Sequence, residues 1–145
     1  MKYYSRRWIK PTNLNGASRL FGGQLLSWID EEAAIYSGCQ MQHEKLVTKY
    51  ISEIDFLAPA VQGDVIEFGL EVVSFGRTSL TVACRVRNKV THEPIIQIER
   101  MVFVAVDEDG KPVPHGYTGA IDPHVVPTEG QVRSSSNNTP TGRAA

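Results

Sequence analysis

Three consecutive acids, Asp30, Glu31 and Glu32, stand in the middle of the apolar stretch "FGGQLLSWIDEEAAIYSG". A carboxylate in half-apolar surroundings costs free energy unless it is paired, and an unpaired one is a candidate general base or nucleophile. Just upstream lie Gly22 and Gly23. At the start of a helix, two glycines leave the first backbone amides uncovered. Those N–H groups and the positive end of the helix dipole can receive a developing oxyanion. The plainer use of a glycine pair is a tight turn. Before them, "NLNG" supplies Asn13 and Asn15, either of which could cap the loop or hold a water near the carboxylate.

These groups depend on a helix to position them. On a wheel of about 100° per residue, Leu25, Leu26, Ile29, Ala33 and Tyr36 form one apolar stripe. Glu31 points nearly opposite, as a solvated charge. Asp30 and Glu32 lie on the two borders of the stripe, and the wheel does not choose between them. Trp28 and Ile35 add a second ridge, so the helix is expected to be covered on more than one side. Gly38 reads as its C-terminal stop.

The remaining chain reads as strands. "KYYSRRWI" is an aromatic first strand. "KLVTKYISEIDFL" ends at Pro59. In "DVIEFGLEVVSF", Ile66, Phe68, Leu70 and Val72 share one face and Glu67 and Glu71 the other. In "SLTVACRVRNKV", Val82, Cys84 and Val86 point inward and Arg85 and Arg87 outward. "PIIQIERMVFVAVD" is apolar on both faces, as a covered central strand should be. The turn signals "QGD", "FGRT", "THEP" and "DEDGKP" separate these runs. The expected fold is α+β: one long helix wrapped by a curved antiparallel sheet of about five strands, the hotdog arrangement. It occupies residues 1–126 as a single domain, and "PTEGQVRSSSNNTPTGRAA" at 127–145 is expected to be a disordered tail. An open sheet edge and an incompletely covered helix call for a second copy.

Composition removes several function classes. The chain has 145 residues and a net charge of -1, which argues against a nucleic-acid binder that works through a strong basic field. No apolar run is long enough for a membrane helix, and the basic N-terminus lacks a signal-peptide core. Cys39 and Cys84 read as free thiols, and with them a cytoplasmic location is expected. His43, His92, His115 and His124 are scattered without metal-ligand spacing, so no metal is expected.

"TNLNG…FGGQLLSWIDEEAA" resembles the N-terminal motif of hotdog-fold acyl-CoA thioesterases. The nearest group is the broad-specificity bacterial acyl-CoA hydrolases related to the cytosolic brain-type enzymes. "LVTKYISEIDFLAPAVQGDVIEF", "SFGRTSLTV" and "MVFVAVDEDGKPVPH" resemble that family's later segments, so the similarity runs from about Pro11 to His115. The resemblance implies an acyl-CoA thioesterase, with Asp30 as the acid that activates water or attacks the thioester. Gly23, with Gly22 beside it, supplies the oxyanion amide, and Asn13 orients the nucleophile, in an active site shared across a dimer. The loop carries "ASRL", about two residues longer than the family pattern, which keeps Asn15 open beside Asn13. Gly76, Arg77, Thr78 and Ser79 fall where the family contacts coenzyme A. Their alternative is a polar hairpin turn. Arg85, Arg87 and Lys89 form a weaker candidate phosphate patch.

The implied set is chemically sufficient. A thioester needs a nucleophile and an oxyanion donor, while its thiolate departs with little acid help, so no cofactor beyond the coenzyme A of the substrate is expected. The implied partner is a second copy of the chain, as a homodimer at least, with tetramer or hexamer above it. A non-catalytic acyl-CoA-binding or regulatory hotdog domain is the alternative. A hydroxyacyl dehydratase ranks below both, since no His lies in the loop or early helix.

Overall fold

The computed structural model describes residues 1–121. The expectations for the tail, for His124 and for the last residues of the domain lie outside these. Six strands, β1 (Lys2–Trp8), β2 (Leu46–Ile51), β3 (Ile54–Phe56), β4 (Val65–Phe75), β5 (Ser79–Asn88) and β6 (Pro94–Ala105), accompany one helix, α1 (Gly22–Met41). They form one antiparallel sheet in the order β1-β4-β5-β6-β2, with β3 also paired to β6. This is the expected helix-on-sheet fold, with one more strand than anticipated. "KLVTKYISEIDFL" is broken at Ser52-Glu53, where Arg100 of β6 donates its backbone N–H to the Ser52 hydroxyl and so ties the junction of β2 and β3 to β6.

The core lies between α1 and one sheet face. Leu25, Ile29 and Ala33 of the helix are buried against sheet residues such as Phe68, Leu80, Val82, Met101 and Phe103. Each fully buried side chain of this kind contributes about 1.5–3 kcal/mol relative to exposure. The alternation read in β4 and β5 holds: Ile66, Phe68 and Leu70 are buried, as are Val82, Cys84 and Val86.

The helix corrects one expectation. It does not stop at Gly38 but continues to Met41, and Gln42 closes it in the left-handed conformation (φ 49°). Gly38 serves a close approach instead. A Cβ there would stand 3.2 Å from the carbonyl oxygen of His43 and 3.2 Å from Leu46, where the chain doubles back into β2. No helix among the described residues is long and apolar enough to cross a membrane.

Candidate active site

The two border carboxylates of α1 face opposite edges of the sheet. Glu32 faces β1, where Arg7 Nη2 reaches its Oε1 at 3.0 Å and Glu31 at 3.5 Å. The same guanidinium lies 5.3 Å from the Trp28 ring centroid. The Glu32 side chain is only 16% exposed, against 61% for Glu31, which matches the solvated role read for Glu31. Glu32 is therefore a buried charge neutralised by a cation. It also adds to burial, the larger cause, in pushing the Cys84 thiol up to about 12.

Asp30 is half-buried and faces β2. Its Oδ1 accepts a 2.8 Å hydrogen bond from the Thr48 hydroxyl, and among the described residues no cation pairs with it. The register explains this contact. Thr48 sits opposite Phe103, which in turn sits opposite Leu80, and cross-strand partners share a face. Phe103 and Leu80 are fully buried under the helix, so Thr48 also points at the helix. The ladder shifts register between Thr48 and Tyr50, an edge irregularity of the kind that re-aims a side chain. Thr48 was not singled out from sequence. "VTKY" shows a strand, but only sheet order brings its threonine to Asp30.

Helix α1 begins without a side-chain cap. Phe21 occupies the N-cap position in extended conformation, and its backbone N–H is held by Asn13 O at 2.9 Å. The amides of Gly22, Gly23 and Gln24 precede the first intrahelical bond, from Leu25 N–H to Phe21 O at 3.1 Å, and are open donors at the positive end of the dipole. A Cβ on Gly23 would come within 2.8 Å of the exposed Phe21 ring, which would have to swing aside. A cleft of about 350 Å³ opens beside Gly22, walled by Leu25, Phe56, Leu57 and Ile95, with Asn15 and Arg19 at its polar side.

The two asparagines share a duty. Asn13 Oδ1 accepts from Lys10 N–H (2.9 Å), and Asn15 Oδ1 from Ala17 N–H (2.9 Å) and Arg19 N–H (3.2 Å). Both amide oxygens cap the loop. Asn13 is half-buried in a surface cavity with Arg7, Trp8 and Trp28, on the β1 side, while Asp30 lies on the β2 side. One chain therefore does not bring Asn13 to Asp30. Gly23 and Asp30 are also apart: seven residues along a helix span about 10 Å.

The turn from Gly76 to Ser79 joins β4 to β5. Arg77 on it is exposed, while Thr78 and Ser79 are half-buried. Two members of the weaker cation patch are committed elsewhere. Arg87 holds the buried Glu67 at 2.6 Å and covers the Tyr3 ring at 3.7 Å, and Arg85 lies 3.8 Å from Glu99.

The family profile described as thioesterase superfamily matches residues 18–95. An acyl-CoA thioester hydrolase YciA of Salmonella typhimurium is 36% identical over 110 residues, covering 72% of this chain and 82% of the relative. Among solved structures, a hexameric thioesterase from Yersinia pestis aligns with a TM-score of 0.72 at 28% identity, covering 78% of this chain and 93% of that one. An acyl-CoA hydrolase from Staphylococcus aureus, solved with butyryl coenzyme A and coenzyme A, aligns at 0.65 and 31% identity, covering 78% and 67%. That hydrolase has also been solved with an aspartate, an asparagine or a threonine replaced by alanine. The chain belongs to the thioesterase superfamily.

Proposed function

We propose that this chain is an acyl-CoA thioesterase that hydrolyses acyl-CoA to a free fatty acid and coenzyme A, with Asp30 as its reacting carboxylate. The observation that carries the assignment to Asp30 is its environment: half-buried, held by a hydroxyl and paired with no cation among the described residues, while Glu32 two positions on is neutralised by Arg7. The likeness to acyl-CoA hydrolases supports the substrate class.

Asp30 takes a proton from water as the water oxygen attacks the thioester carbon, or attacks that carbon itself, in which case water afterwards cleaves the resulting acyl–aspartate anhydride to release the fatty acid and restore the carboxylate. The carbonyl oxygen gains the charge and is received by the amide of Gly23, with Gly22 beside it. The tetrahedral adduct then collapses, the C–S bond breaks and coenzyme A leaves as its thiolate. An oxyanion donor of this type lowers the barrier by about 3 kcal/mol. The chemistry requires neither metal nor cofactor. Thr48 fixes the rotamer of Asp30.

A carbonyl that sits within hydrogen-bond reach of an amide and within attack distance of a carboxylate spans less than the roughly 10 Å between Gly23 and Asp30 of one helix. The reading therefore takes the amide and Asn13 from one copy and Asp30 from another. The β2 edge supports this, since Val47, Tyr50 and Ile51 are exposed there at 47%, 48% and 37%. A homodimer is the minimal active unit, and the hexameric assembly of the solved relatives supports a larger one. The free thiols of Cys39 and Cys84 fit a reducing compartment, and the reading places the enzyme in the cytoplasm.

The test is thiol release from a series of acyl-CoA chain lengths by the purified protein. The reading expects turnover with at least one chain length. Tight binding with acyl-CoA recovered intact would assign the chain instead as a non-catalytic binding domain.

A further inference from the structure

Beyond β6 the chain turns at Asp107, whose Oδ1 accepts from Asp109 N–H and Lys111 N–H, each at 2.9 Å, and then runs back along the sheet. Val113 N–H bonds to Ala105 O at 2.9 Å. Further on, His115 is buried against the β4–β5 turn, with its ring centroid 5.9 Å from that of Phe75. Its Nδ1 accepts the Tyr117 backbone N–H at 3.0 Å. That bond assigns the ring proton to Nε2, which donates to Ser79 O at 2.9 Å. The segment is anchored again at Ile121, whose backbone N–H and C=O both engage the fully buried amide of Gln40 in α1, at 2.8 and 2.5 Å.

The consequence falls on the turn. Three consecutive carbonyls are engaged: Arg77 O by His115 N–H (3.3 Å), Thr78 O by Ala105 N–H (2.8 Å), and Ser79 O both by Gly76 N–H within the turn (2.9 Å) and by His115 Nε2 (2.9 Å). With these three acceptors engaged, the turn carries the exposed guanidinium of Arg77, which has no ion-pair partner among the described residues. An unpaired guanidinium beside engaged carbonyls suits a phosphate-bearing ligand, since a free carbonyl would repel the anion.

We infer that His115 is a positioning residue for the nucleotide end of coenzyme A: by adding a side-chain donor to the Ser79 carbonyl beside the turn's own Gly76 N–H, it stiffens the Arg77–Ser79 turn in the shape that receives a phosphate. The inference rests on the acyl-CoA reading and on the contact of this turn with coenzyme A. Gln and Asn separate the two bonds of the ring. Gln at position 115 carries an N–H donor near Nε2 and keeps the bond to Ser79. Asn carries its oxygen near Nδ1, keeps the Tyr117 bond and loses the one to Ser79.

The experiment measures kcat and KM for an acyl-CoA and for the matching acyl-pantetheine, which lacks the nucleotide, on wild type, Arg77→Ala, His115→Gln and His115→Asn. The inference expects Arg77→Ala and His115→Asn to raise KM for acyl-CoA about five- to tenfold at unchanged kcat, the equivalent of one charged or neutral hydrogen bond. Acyl-pantetheine kinetics stay within twofold, and His115→Gln tracks wild type on both substrates. Equal effects of Gln and Asn, or equal losses on both substrates, would overturn it by showing a general packing role. If Arg77→Ala has no effect on acyl-CoA, the turn does not bind the nucleotide and the role of His115 falls with that contact. If wild type hydrolyses neither thioester, the acyl-CoA reading itself fails.

Discussion

Two carboxylates two residues apart on one helix lie at opposite edges of the sheet and meet opposite environments. At the β1 edge, Glu32 is deeply placed and neutralised by Arg7, with Trp28 stacked beneath the same guanidinium. At the β2 edge, Asp30 accepts a threonine hydroxyl and meets no cation among the described residues, and the strand beside it carries exposed apolar side chains. If Asp30 is the reacting group, as proposed, burial alone does not mark it. Glu32 has been given a structural partner, and the acid left without a cation stands where a second copy would complete the surroundings.

This contrast can be broken in several ways. The largest effect expected is complementation. Asp30→Asn and Asn13→Ala chains, each nearly inactive alone, regain about a quarter of wild-type activity when unfolded and reassembled together, because half of the mixed dimers' sites are intact at random pairing. Activity measured across mixing ratios checks this, and a flat line at the level of the parents would put both groups in one chain. Next, Thr48→Val lowers kcat about tenfold with little change in KM, since it releases the Asp30 rotamer without touching substrate. Unchanged kcat would remove Thr48 from the site.

Smaller still, Glu32→Gln costs about 1 kcal/mol of stability by stranding the Arg7 charge, with Glu31 as a partial replacement at 3.5 Å. Denaturant titration reads this directly, and an unchanged midpoint would make the pair ornamental. Last, native protein alkylates at Cys39 only, because burial and Glu32 hold the Cys84 thiol up at about 12; both thiols react once the chain is unfolded. The same raised thiol contributes stability that is full below the ordinary thiol range near 8.5 and is lost as pH climbs toward 12. Mass spectrometry after a brief label decides the count.

The strands were legible because their alternation is local. Ile66, Phe68 and Leu70 announce a covered face within a few residues, and Val82, Cys84 and Val86 do the same. Gly38 was misread because its use lies outside the helix, in the return of His43 and Leu46 across it. The break between β2 and β3 was hidden because "TKYISEIDF" keeps strand-forming residues through the gap. At the site, the wheel placed Asp30 and Glu32 on the borders but could not say what each border faces. That depends on which strands lie at the two edges, a property of sheet order. Thr48 and His115 escaped for the same reason: each is hydrogen-bonded to a partner 18 or 36 residues away in sequence.

The assignment of the reacting acid is tested most directly by comparing Asp30→Asn with Glu32→Gln in one acyl-CoA hydrolysis assay, with thermal melting run in parallel. The account predicts that Asp30→Asn loses at least about a thousandfold in kcat with its melting point preserved, while Glu32→Gln stays within threefold of wild type and melts lower. A folded Asp30→Asn that retains activity, or a folded Glu32→Gln that has none, would contradict it.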